Sequence, residues 1–398
     1  MTGGSINRQI GSVFMIMGTE IGAGVLALPI IISHVGIFWG SIILFMAWAV
    51  MLYTALLVCE ANSTLDDGIS FASMAYKFMG TKGKWFLTVI FWATLYTIIM
   101  AYISAAGSTF NSMLKMSPAI TSTVFVIVFG SCVIIGTKAV DYVNRGLLSL
   151  KLLGFIIAMV LLCYSLHGEY LLLSGESQAI LASIPAIVTT FILHNIIPTV
   201  RRYLRNNLLQ LRKVVIIGSI IPLVLYIFWV VAIIGNIPAA GDHGFTSLHS
   251  MGNEANVGDL MNLLATNVKY PLIMSAIHFV ATISVTTSFL GTAISLYHFI
   301  QDVLGSHQKP LLQRISIPSI LTFVVPLAIV LLYPNIFILA LGFAGVGASI
   351  LFILIPVLMM RKMLQTGYQC DLPILTNQFI LNLVFVLGCV VVVIQFLS

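Results

Sequence analysis

Long apolar runs alternate with short polar connections along almost the whole chain. Windows of about 20 apolar residues, the length that crosses a bilayer as a helix, mark eleven runs. They lie at about 8–33, 36–60, 84–113, 119–137, 147–166, 180–200, 213–235, 270–300, 315–333, 335–360 and 377–397. The pattern predicts an all-α polytopic membrane protein with one transmembrane domain over 1–398. Five spans fall within about 8–166, five within about 180–360, and one is appended at about 377–397. Two connections are long, 61–83 and 236–269. In the second, Val257, Leu260, Met261 and Leu264 recur at helical spacing. Residues 257–268 read either as a short surface helix acting as a lid or as a solvated connector.

Composition agrees with this reading. The chain is 60% hydrophobic and 8% charged, against about 25% charged residues in soluble domains. The net charge of +6 would suggest nucleic acid in a soluble protein, but here the basic residues follow the connections. With the N-terminus in the cytoplasm, sixteen of the 18 Lys and Arg residues fall inside, including Lys77, Lys138, Arg201, Arg202, Arg205, Arg212, Lys309 and Arg314. Only Lys115 and Lys269 fall outside. That bias sets the expected orientation and puts Ser398 outside. No cleavage site follows a short apolar core, so no signal peptide is expected. Cys59, Cys132, Cys163, Cys370 and Cys389 lack metal-ligand spacing and read as packing residues. No G-x-S-x-G, H-E-x-x-H or G-x-x-x-x-G-K motif occurs. The chain is expected to be no enzyme, to hold no cofactor or metal, and to work on an ion gradient rather than ATP.

Two spans carry interruptions. Residues 18–29 read GTEIGAGVLALP, with three glycines and a carboxylate in the middle of the first span. Irregular backbone survives at membrane depth only where it lines a protein cavity. Gly18, Gly22 and Gly24 therefore predict a helix that stops, unwinds and restarts. The restart offers N–H groups to an anion, and the end of the first half offers carbonyls to a cation. An α-amino acid carries both charges side by side. The alternative for the glycines is close helix packing through small residues. The sixth span reads IPAIVTTFILHNIIPTV at 184–200, with His194-Asn195 followed by Pro198, which lacks an N–H. Interrupted helices at matching places in two halves point to a 5+5 inverted-repeat transporter of the leucine-transporter type, with spans one and six broken.

GTEIGAGVLALP also resembles the first-helix signature of the hydroxy and aromatic amino acid permeases, within the amino acid–polyamine–organocation superfamily. AYISAAG (101–107), VDYVNRGLLSLK (140–151), LRKVVIIGSIIPLVLYIFW (211–229), TSFLGTAISL (287–296) and ALGFAGVG (340–347) resemble tyrosine-permease segments. The resemblance covers nearly every span. It implies proton-driven import of tyrosine or tryptophan across the bacterial inner membrane. The chain departs from the family where Glu20 replaces a small polar residue, and where Ile192-Leu193-His194-Asn195 replaces a GFHG-like sequence. The alternatives are a different neutral amino acid, such as serine, threonine or a branched aliphatic, or an amino acid sensor without net flux.

The candidate substrate site comprises Gly18, Thr19, Glu20, Gly22, Ala23 and Gly24 on the first span, with the backbone of 22–24 for a carboxylate. A carboxylate at mid-membrane must be protonated, paired or wet. Glu20 can pair with a substrate ammonium or carry a proton; its structural alternative is a pair with Lys151 or His194. His194 can titrate, bind substrate or be a satisfied core histidine, and Asn195 can bond substrate or freed backbone. His278 and His298 are weaker candidates. Tyr96, Met100, Tyr102, Phe191, Ile192 and Phe343 are candidates for an apolar side-chain pocket, against a plain core role. The family resemblance implies that Lys151 takes the place of a sodium ion between spans one and eight, with Thr287 and Ser288 as neighbours. Snorkelling of Lys151 to the cytoplasmic face is the alternative. The expected partners are an amino acid, a proton and the lipid bilayer.

Overall fold

The computed structural model describes residues 3–65, 71–172, 175, 177–268, 270–304 and 316–397. Lys269, Lys309, Arg314 and Ser398, used in the orientation argument, lie outside them.

The first span is divided into α1 (Gly3–Glu20) and α2 (Leu28–Val35), with a 3₁₀ turn at Ala23–Leu26 between them. Then follow α3 (Ile37–Ser63), α4 (Phe71–Leu114), α5 (Pro118–Ile135) and α6 (Thr137–Tyr164). Gly36, at φ +82°, turns the chain between α2 and α3, a conformation open to glycine but strained for other residues. The connection expected over 61–83 is partly helical. Helix α4 begins within it and bends at Gly80, whose φ of +71° breaks the helical path ahead of the apolar stretch Trp85–Leu114.

The sixth span is also divided, into α7 (Ser177–Val188) and α8 (Ile197–Tyr203). Next come α9 (Leu208–Ile234), α10 (Phe245–His249), α11 (Val257–Asn267), α12 (Pro271–Val303) and α13 (Ser316–Leu332). The chain ends with α14 (Phe337–Gln365), α15 (Pro373–Thr376) and α16 (Gln378–Leu397). Both α13 and α14 contain a π turn, at Ile320–Val324 and Ile350–Leu354. Each precedes a proline, Pro326 or Pro356, that cannot donate to the carbonyl four residues back. The i→i−5 bonds Val325 N–H to Ile320 O and Ile355 N–H to Ile350 O take over instead.

Among the described residues, nine helices are long and apolar enough to cross a membrane. The expected eleven is not reached by that criterion: the first span is split into two shorter pieces, and α13 is the shorter apolar helix Ser316–Leu332.

The helices pack in two groups. Helix α9 packs against α1 and α3, α3 against α7, and α2 against α7 and α9. Helices α4, α5, α6, α12 and α13 form the second group, and α14 packs against both α4 and α7. Outward faces stay apolar, with Phe45, Ile127, Phe228 and Phe379 exposed, as lipid-facing surfaces require. Helix α11 is not a solvated connector. Asn256 and Asp259 form its capping box, Leu260, Met261 and Leu264 are buried, and it packs on α4.

A buried polar clasp closes the end of the bundle where α3 finishes and α9 starts. Arg212 Nε donates to Glu60 Oε1 at 2.6 Å and Nη2 to Oε2 at 2.8 Å. The Tyr368 hydroxyl, from the segment after α14, donates to Oε2 at 2.9 Å. Nearby, Arg201 bonds the carbonyls of Asn62 and Leu65.

Candidate functional site

The first break begins where Gly22 turns extended, at φ −108° and ψ −165°. Ile21 N–H still reaches Met17 O, but Gly22 N–H folds back to Glu20 O at 2.7 Å. The carbonyls freed by the break are met by side chains. Glu20 O accepts from the Tyr226 hydroxyl at 2.7 Å, and Ile21 O from Lys151 Nζ at 2.5 Å. Ala23 N–H donates to Ser288 Oγ at 2.9 Å. Every one of these partners comes from another helix, so the irregular backbone is held by the bundle rather than by its own span.

The glycines combine the two readings offered by the sequence. A Cβ on Gly22 would lie 3.0 Å from Ser288 Oγ, one on Gly24 3.1 Å from Thr190 Cγ2, and one on Gly18 3.1 Å from Leu148 Cδ1. They permit close packing, and all three also line a cavity.

The second break runs through the 3₁₀ turns Thr189–Phe191 and His194–Ile196, with Ile192 extended between them. Pro198, in the first turn of α8, restarts the helix where its missing N–H costs nothing. The Tyr226 hydroxyl lies 3.2 Å from Thr190 O as well as 2.7 Å from Glu20 O, so one fully buried side chain of α9 ties the two breaks together.

Between the breaks lies a cavity of about 390 Å³. Of the expected residues, Gly18, Thr19, Glu20, Gly22 and Gly24 line it from the first span, and Ile192 and Asn195 from the sixth. Lys151, Thr287 and Ser288 complete the expected part of the wall. Lys151 is 1% exposed and does not snorkel. Its ammonium sits between Ile21 O and Thr287 Oγ1, the latter at 3.3 Å. Glu20 is 4% exposed, and neither carboxyl oxygen has a hydrogen-bond partner. The alternative reading of Glu20, a structural pair with Lys151 or His194, is therefore absent.

Other candidates sit elsewhere. Ala23 contributes its N–H to Ser288 but no part of the wall. His194 is fully buried behind Phe352, with Nε2 2.9 Å from Thr54 Oγ1. Phe191 packs on Tyr226, and Tyr96 on Trp92. Met100 packs against the core outside the cavity. Phe343 is 39% exposed on the outward side of α14, against Phe396 of α16. His298 is exposed, and His278 does not line the cavity. The apolar-pocket reading fails at Tyr96, Met100, Phe191 and Phe343 because helices within a bilayer have apolar residues on every side. Of the apolar candidates Tyr102 and Ile192 do line the wall, joined by Phe91 and Phe352, with Asn144, Thr190, Thr292 and Ser295. Part of this was available from spacing: Ser288, Thr292 and Ser295 recur at i, i+4 and i+7 on one face of α12.

Exposure shows which way the cavity opens. Gly291 and Ser295, late on α12, are exposed, as is Asn195 in the later part of the second break. Gly24, Thr190 and Leu341 at the other end are buried. The open end is the one that carries Arg201 and Arg212. The closed end is covered by α11, where Gly258 N–H bonds Ser108 Oγ of α4, and by α10, whose His249 lies 3.1 Å from Ser33 Oγ and stacks on His34 of α2.

Residues 5–395 match the sequence profile of the tryptophan/tyrosine permease family. Tyrosine-specific transport system 1 of Haemophilus influenzae is 30% identical over 398 residues, covering 98% of this chain and 97% of that protein. Glutamine transporter 2 of Aliivibrio fischeri is 29% identical over 360 residues, covering 88% of each chain. Among solved structures, Mhp1, a nucleobase-cation-symport-1 family transporter in a closed conformation with bromovinylhydantoin bound, superposes with a TM-score of 0.59. It is 12% identical, with 96% of this chain and 90% of that one covered. At that identity the likeness concerns the fold alone.

Proposed function

The chain belongs to the tryptophan/tyrosine permease family, and from that premise we propose that it is a proton-coupled symporter that imports aromatic amino acids by alternating access. As a member of that family it is a multi-pass membrane transport protein and not an enzyme. The observation that carries the reading is the cavity between the two breaks. There the unpartnered Glu20 carboxyl, the Lys151 ammonium and the glycines Gly22 and Gly24 of the first break converge.

A zwitterionic amino acid fits this arrangement. The start of the 3₁₀ turn at Ala23–Leu26 suits its carboxylate. Glu20 suits its ammonium, or carries the coupled proton when no ammonium is present. Lys151 holds the first break against α12 as a fixed cation would, leaving no need for a sodium ion there. The conformation then corresponds to a cytoplasm-facing state, with the basic end inside. Alternation would move α1, α3, α7 and α9 against the second helix group. The bacterial inner membrane, with the N-terminus in the cytoplasm and the C-terminus outside, completes the proposal.

A second reading keeps the mechanism and changes the cargo to a polar neutral amino acid. The similarity to a glutamine transporter and the hydroxyls of Thr190, Thr292 and Ser295 in the wall favour it. Uptake of labelled tyrosine, tryptophan, phenylalanine, glutamine and serine into proteoliposomes, with an inward proton gradient and with or without sodium, separates the two. Aromatic accumulation driven by protons alone is the expected result. Accumulation that requires sodium, or that excludes all three aromatic amino acids, would overturn the first reading.

A further inference from the structure

We propose that Phe352 selects the side chain of the transported molecule and that His194 is the positioning residue that holds its ring. The inference rests on the reading of the cavity as an amino acid site. It starts from Pro356, which forces the π turn at Ile350–Leu354. The widened turn changes the register of α14 and brings Leu351 and Phe352 together into the cavity wall.

Three aromatic side chains line the cavity among the described residues, and their surroundings differ. The Tyr102 hydroxyl is hydrogen-bonded to Ser288 and belongs to the polar end beside Gly22. Phe91 packs on Phe299 at 5.7 Å, toward the late part of α12. Phe352 is 4% exposed and lies parallel to the His194 ring, with centroids 5.1 Å apart and planes at 25°.

His194 is itself anchored. The Thr54 hydroxyl sits 3.1 Å from the carbonyls of both Val50 and Met51 on its own helix, which hold it in place. His194 Nε2 lies 2.9 Å from the same hydroxyl, a hydrogen bond that fixes one edge of the ring, while Nδ1 has no partner. The imidazole does not line the cavity, so its effect on cargo passes through Phe352. The result is a flat apolar plate held at one angle. A planar side chain gains from it and an aliphatic one of similar volume does not.

The test is the ratio of inhibition constants of leucine and phenylalanine against labelled tyrosine uptake in proteoliposomes. For a variant that does not transport, ligand-induced thermal stabilisation by each amino acid gives the same ratio. Phe352→Leu, with Phe352→Met as a second variant should it not fold, is expected to lower the preference for phenylalanine by about 3- to 10-fold. His194→Ala removes the backing plate and should lower it similarly. His194→Phe keeps a plate without the hydrogen bond and should preserve it. A merely structural role would weaken both amino acids together and leave the ratio unmoved in all four variants, and that result overturns the inference. If the unaltered protein binds and transports no aromatic amino acid, the functional reading fails and this inference falls with it.

Discussion

Replacing Glu60 by alanine should destabilise the protein by about 3–5 kcal/mol, the range for breaking a buried ion pair by removing one partner. The structure supports that size by a second route. Glu60 is fully buried, and the Arg212 side chain is 8% exposed. Their two contacts, at 2.6 and 2.8 Å, are charge-assisted and parallel. Hydrogen bonds to charged groups contribute about 1.5–3 kcal/mol each, so losing two falls in the same range. Tyr368 also loses its acceptor. Asp371 cannot replace Glu60, because it lies 4.0 Å from Arg212 with its side chain 88% exposed. The assay is thermal unfolding of the detergent-solubilised protein, with Glu60→Ala, Arg212→Ala and the double variant compared as a cycle. Each single substitution should lower the unfolding temperature more than half as far as the pair. A double Glu60→Met/Arg212→Met variant should be more stable than Glu60→Ala, since an apolar pair leaves no stranded charge. Single variants indistinguishable from the unaltered protein, or strictly additive losses, would refute the reasoning.

Lys151→Met should reduce initial uptake roughly 5- to 150-fold, the equivalent of about 1–3 kcal/mol for one buried carbonyl left unpaired. Its check is transport by protein that still elutes as a single species, and undiminished uptake would remove Lys151 from the site. Gly22→Ala puts a methyl 3.0 Å from Ser288 Oγ and should slow uptake at least about tenfold with little change in unfolding temperature. An unaltered rate would mean that the break tolerates the displacement. At the closed end of the cavity, His249 is pushed down to about 4 by burial and, secondarily, by His34 beside it. Its proton is taken up by the opened segment below about 6.5 but by the docked one only near 4. The docking of α10 is therefore fully stable above pH 6.5, weakens as pH falls through that window and levels off below 4. Protection factors of the 245–249 amides, corrected for intrinsic exchange at pH 7 and pH 5, should fall at the lower pH, and His249→Phe should flatten the difference.

Much of the architecture is legible in the chain itself. Membrane helices need long apolar runs and backbone that satisfies itself, so length and the placing of Gly22, Gly24 and Pro198 are enough to locate spans and breaks. The burial of Glu20 follows from the same pattern, because an apolar span leaves a mid-helix carboxylate nowhere polar to go. The tertiary structure alone decided which side chains meet the broken backbone. Lys151 reaches Ile21 O across 130 positions of sequence, Tyr226 reaches Glu20 O across 206, and Arg212 finds Glu60 across 152. It also decided which aromatic residues face the cavity. In a soluble helix the core side is marked by the contrast with a polar side, but in a bilayer both lipid and core are apolar. Phe343 and Phe352, nine residues apart on α14, are therefore alike as sequence. Packing across the bundle and the π turn before Pro356 send one toward the outside and the other to the wall of the site.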